Sequence, residues 1–79
     1  MNEKNHLKKV REEQMMSKAE LARKAGVSVL TIDRIERGEN CRYSTKRKIL
    51  KALDIDIKDR HLVFPADQEE QNSKEEEDD

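Results

Sequence analysis

The chain predicts an all-α fold, a compact bundle of four to five helices. Three observations predict it. Apolar residues recur at helical spacing, as in Leu21, Ala22 and Ala25 and again in Ile32 and Ile35. Ser17, Ser28, Gly26 and Gly38 fall where helices start and stop. No stretch alternates apolar and polar residues as a half-buried strand does.

The elements follow in order. Residues 2–14, NEKNHLKKVREEQ, hold strong helix formers and no breaker. Leu7 and Val10 give that helix a narrow buried stripe, and Lys8, Lys9 and Arg11 read as a solvated face. Ser17 and Glu20 form an S-x-x-E capping box, which starts a second helix near Lys18. Gly26 ends it with a left-handed residue, and Val27 plugs the turn. Ser28 caps a third helix running to about Arg37, ended by Gly38. After the loop ENCRY, Tyr43 or Ser44 opens a fourth helix that buries Ile49, Leu50 and Leu53. Residues 54–64, DIDIKDRHLVF, read as a short fifth helix or turn folded back over the core and ended by Pro65.

Composition limits function. Of 79 residues, 33% are apolar and 44% are charged; Tyr43 and Phe64 are the only aromatics, and Trp is absent. Little remains for the walls of an enzyme pocket. No nucleophile–base arrangement, Gly-rich phosphate loop or Cys/His ligand spacing occurs, so no catalysis, metal or cofactor is expected. Cys41 is single, which excludes an internal disulfide and suits a reducing compartment. No signal-like or membrane-spanning run is visible, so the expectation is a cytoplasmic protein.

The net charge of −1 conceals a split. Residues 1–65 hold sixteen bases and ten acids, net +6, and read as one domain. Residues 66–79 hold eight acids and one base, net −7, and read as a disordered acidic tail. The basic part has the electrostatic footprint of a polyanion binder. The tail is either a solubilising appendage or a competitor for the basic face.

The segments LKKVREE, MSKAELARKAGVS, TIDRIERGE and STKRKILKALDI carry a resemblance. From about His6 to Ile55 the chain resembles the phage-repressor type of helix-turn-helix domain, the family of lambda repressor and Cro. The family's twenty-residue motif falls on residues 18–37. It asks for an apolar fourth place and a small fifth, here Leu21 and Ala22. Its ninth place is glycine, here Gly26. Its apolar eighth, tenth, fifteenth and eighteenth places are Ala25, Val27, Ile32 and Ile35. Three positions depart from the family's habit: Lys18 replaces a frequent Gln, Val29 and Leu30 replace polar residues, and Asp33 sets a negative charge on the outer face.

The resemblance implies a transcriptional regulator that binds double-stranded DNA with its third helix in the major groove. It implies base contacts from Ser28, Val29, Leu30, Asp33 and Arg34. Arg34 suits guanine O6/N7, Asp33 suits cytosine N4, and Val29 or Leu30 suits a thymine methyl. It implies phosphate contacts from Lys18, Thr31, Arg37, Tyr43, Thr45 and Lys46. Plainer readings stand beside these: Val29 and Leu30 as core or subunit contacts, and Asp33 as an ion-pair partner of Arg37 or Arg34. A repressor binding a palindromic operator as a homodimer is expected, because one recognition helix reads few base pairs. No sensor segment suggests a small-molecule effector. The alternative is a protein-interaction module, such as an antitoxin or adaptor, on the same fold.

Overall fold

The computed structural model describes residues 5–65. The expected all-α bundle is what the chain adopts. Four α-helices, α1 (Leu7–Glu13), α2 (Lys18–Ala25), α3 (Val29–Glu36) and α4 (Tyr43–Ala52), are followed by a 3-10 helix (Ile57–Leu62). The acidic tail assigned to residues 66–79 lies outside the described residues, as do residues 2–4 of the first expected helix.

One core unites these elements. Leu7 of α1, Leu21, Ala22 and Ala25 of α2, Ile32 and Ile35 of α3, and Ile49 and Leu50 of α4 are buried together with Met16, Leu53, Val63 and Phe64. The central helix is α2, which packs on both α3 and α4. Burying an aliphatic side chain of this size is worth roughly 1.5–3 kcal/mol. The last apolar run divides as the fold requires. Val63 and Phe64 enter the core, whereas Ile57 and Leu62 remain exposed on the 3-10 helix. The His6 amide donates to the Val63 carbonyl at 2.8 Å, so the C-terminal segment closes against the start of α1.

Two details of α1 differ from the sequence reading. It starts at Leu7, because Asn5 is drawn off: its Oδ1 accepts from the Leu7 amide at 3.0 Å, and its Nδ2 donates to the Ile35 carbonyl at 2.7 Å. Arg11 is buried, unlike Lys8 and Lys9. It lies four residues after Leu7 and therefore shares the inner face. Its Nε donates to Glu36 Oε2 at 2.6 Å and its Nη2 to Oε1 at 3.1 Å, while Nη1 donates to the Met16 carbonyl at 2.8 Å. Glu36, four residues after Ile32, is on the inner face of α3 for the same geometric reason.

The four α-helices end alike. Met15 (φ 58°), Gly26 (φ 74°), Gly38 (φ 98°) and Asp54 (φ 63°) are left-handed. In each case the next amide reaches a carbonyl five residues back: Met16 to Arg11, Val27 to Ala22, Glu39 to Arg34, and Ile55 to Leu50. These bonds satisfy carbonyls that a helix end leaves open. Only two of the four positions are glycine, so Met15 and Asp54 carry backbone strain.

Two substitutions test that account with opposite signs. Nothing lies within 4 Å of a Cβ built on Gly26, so Gly26→Ala meets only the backbone penalty, about 1 kcal/mol. Met15 is 89% exposed, so Met15→Gly loses little packing. Relief of left-handed strain then exceeds the entropy cost of glycine, for a gain of roughly 0.5 kcal/mol. Thermal unfolding should place Tm below wild type for Gly26→Ala and above it for Met15→Gly. The same sign for both would refute the strain argument.

A second prediction concerns the buried pair. The Arg11 and Glu36 side chains are only 8% and 5% exposed. Arg11→Met strands a carboxylate and should cost about 3 kcal/mol by urea unfolding, the low end for a buried pair, because no group in so small a molecule is far from water. Changing both residues to Met should restore at least half of that loss. A loss under about 1 kcal/mol for Arg11→Met would assign the pair the value of a surface bridge.

Candidate nucleic-acid interface

The side of α3 opposite Ile32 and Ile35 is the candidate interface. Two serines set its approach. Ser17 Oγ accepts from the Glu20 amide at 3.0 Å and starts α2; Ser28 Oγ accepts from the Thr31 amide at 3.1 Å and starts α3. The turn between them is closed by Gly26 and by Val27, which is half-buried against the core. Ile32 and Ile35, 0% and 2% exposed, hold α3 by its inner side.

With that side fixed, helical geometry turns Leu30 and Arg34 outward. Val29 and Leu30 are 45% and 54% exposed at the head of α3. They are therefore not core residues, which leaves a subunit contact as the plainer reading. Ser28 is exposed, and its hydroxyl is 3.0 Å from that of Thr31, which is half-buried. The cap thus engages both hydroxyls before any ligand arrives. Arg34 is exposed, and its guanidinium has no ion-pair partner among the described residues.

Asp33 is the centre of a three-residue ion-pair set. Its Oδ1 accepts from Lys18 Nζ at 2.7 Å and its Oδ2 from Arg37 Nη2 at 2.6 Å. The Arg37 bridge spans one helical turn and was one of the two pairings readable from spacing; the other, to Arg34, is not formed. The Lys18 bridge joins the first residue of α2 to the middle of α3, and no sequence spacing announces it. The hydrogen bonds from Lys18 and then Arg37 hold the Asp33 carboxyl below the usual carboxylate range. Asp33 in turn raises the Arg37 guanidinium.

The remaining residues gather at the start of α4. Tyr43 is exposed and Thr45 half-buried. Lys46 Nζ stands 5.3 Å from the centre of the Phe64 ring, a cation–π distance that ties part of its charge to the fold. Among the described residues, no group of three or more His, Cys, Asp or Glu side chains is placed to hold a metal ion. Among the described residues, no helix is long and apolar enough to cross a membrane.

A family model described as helix-turn-helix, of the Cro/C1 type, matches residues 7–59. The chain belongs to this phage-repressor type of helix-turn-helix family. No curated protein and no solved structure gives a significant match. Family membership makes the chain a DNA-binding helix-turn-helix regulator. The family is one of DNA-binding regulators and is not typically enzymatic.

The charge set has a pH consequence. Because the folded Asp33 carboxyl titrates below its unfolded value of about 3.9, its bridges contribute fully above that pH. They are lost as pH falls through the depressed folded value. A carbon-detected NMR titration should give Asp33 a midpoint below about 3.9, and Lys18→Met should move that midpoint upward. An unshifted midpoint in both proteins would mean that the Lys18 bridge does not persist in solution.

Proposed function

We propose that this regulator acts by occupying an operator in double-stranded DNA, as a dimer on a palindromic site, and that it represses transcription there. In this reading α3 enters the major groove. Ser28, Val29, Leu30 and Arg34 face base edges, and Lys18, Thr31, Arg37, Tyr43, Thr45 and Lys46 face phosphates. The observation that carries it is the exposure of Val29, Leu30 and Arg34 on a helix locked from behind by Ile32 and Ile35. Arg34 suits guanine O6/N7, and the two apolar side chains suit thymine methyls. The net charge of +6 over residues 1–65 supports attraction to phosphate. Dimerisation follows from the small number of base pairs that one recognition helix reads; two half-sites then lie about 34–36 Å apart.

A second reading has a specific observation behind it. Val29 and Leu30 form an apolar step on an otherwise polar face, which also suits an adaptor or antitoxin binding a protein. Salt separates the two readings. DNA affinity falls steeply with salt through counterion release, whereas an apolar protein contact hardly responds.

Selection from random duplexes is the decisive experiment. The expected product is a short inverted repeat with half-site centres about one helical turn, or a multiple of it, apart. Sedimentation with the selected duplex should show two chains per site. Arg34→Ala should remove about 1–3 kcal/mol of discrimination at one base pair per half-site. Absence of any enriched sequence, or an Arg34→Ala protein with unchanged preference, would sink the proposed placement of α3.

A further inference from the structure

Sequence reasoning offered Asp33 a base to read. Its surroundings point to another task. One carboxylate oxygen is taken by Lys18 and the other by Arg37, at 2.7 and 2.6 Å. Both cations are on flexible stems and are partly exposed, with side chains 40% and 63% accessible. An ammonium has three donors and a guanidinium five. One hydrogen bond from each goes to Asp33, so both keep donors for a phosphate. The carboxylate therefore orients two cations and cancels one unit of their charge.

Resting on the DNA-binding reading above, we propose that Asp33 is a positioning and specificity residue, not a base reader. It holds Lys18 of α2 and Arg37 at the end of α3 in one fixed relation. On the correct operator the two groups meet phosphates without first losing the rotamer freedom of long side chains. On other duplexes the phosphates are not presented to that fixed pair. There the bridges compete with binding, and the carboxylate repels the backbone. Non-cognate DNA is penalised more than the operator, which is discrimination by an introduced repulsion.

The experiment compares wild type with Asp33→Asn on the selected operator and on a scrambled duplex of equal length, from about 50 to 200 mM salt. Asparagine is close in shape and Asp33 is outside the core, so helicity and Tm serve as the folding control. Affinity for the scrambled duplex should rise about three- to tenfold, as expected for release of exposed ion pairs. Its salt slope should steepen by about 0.9 for each cation released to phosphate. Operator affinity should rise less, so the ratio of the two falls. In a Lys18→Met background, Asp33→Asn frees Arg37 alone, and the steepening should be about half as large.

Three results overturn the inference. An equal rise on both duplexes reduces Asp33 to bulk charge. A loss confined to one operator base pair makes it a base reader. Unchanged binding means that the bridges have no role at the interface. Each of these presupposes that wild type enriches a sequence. If wild type enriches none, the DNA-binding placement itself fails and this inference falls with it.

Discussion

The structure depends on the burial of Ile32 and Ile35. An isolated helix of eight residues, the length of α3, is marginal in water. It persists because these two side chains are inside the core that also holds Leu7 and Leu21. The same burial determines which side of α3 is presented outward. Ala22 and Ala25 leave α2 a small-residue face within that core. Larger residues there would move α3 and the whole outer surface with it.

Two acids of α3, three residues apart, show how one helix divides its electrostatics. Glu36 is on the inner side, where the Arg11 guanidinium takes both of its oxygens. That guanidinium also bonds the Met16 carbonyl, so one side chain links α1, the turn after it and the end of α3. Asp33 is on the outer side and binds two cations in contact with water. The inner pair is largely shielded from solvent and aligns α1 with the end of α3. The outer set is screened by salt, contributes little to stability, and is open to exchange with a ligand's charges.

The candidate site was unevenly legible in the sequence. The exposure of Leu30 and Arg34 followed from the phase of Ile32 and Ile35, since one buried side of a helix defines the other, whereas Val29, three residues before Ile32, was shown to be exposed only by the folded structure. The pairing of Asp33 with Arg37 was readable from its four-residue spacing. The pairing with Lys18 was not, because residues fifteen apart in different helices meet only after α2 and α3 dock. Arg11 was misread as solvated because a charged residue is normally outside. The available signal was its position four residues after Leu7, together with Glu36 four residues after Ile32.

By itself the sequence determined the helices, their caps, the turn and the inner faces, because these depend on contacts within about four residues along the chain. It also determined the family, since the motif over residues 18–37 is a record of those same local demands. Tertiary structure alone decided which polar side chains meet across helices. It drew Asn5 to the end of α3, buried Arg11 against Glu36, and set Lys18 on Asp33. The physical reason is that an ion pair or a side-chain hydrogen bond between two elements acts over a few ångströms in space and carries no periodicity in sequence. The outer face of α3 was thus legible as a surface from the start, and its electrostatic wiring became visible only when the helices came together.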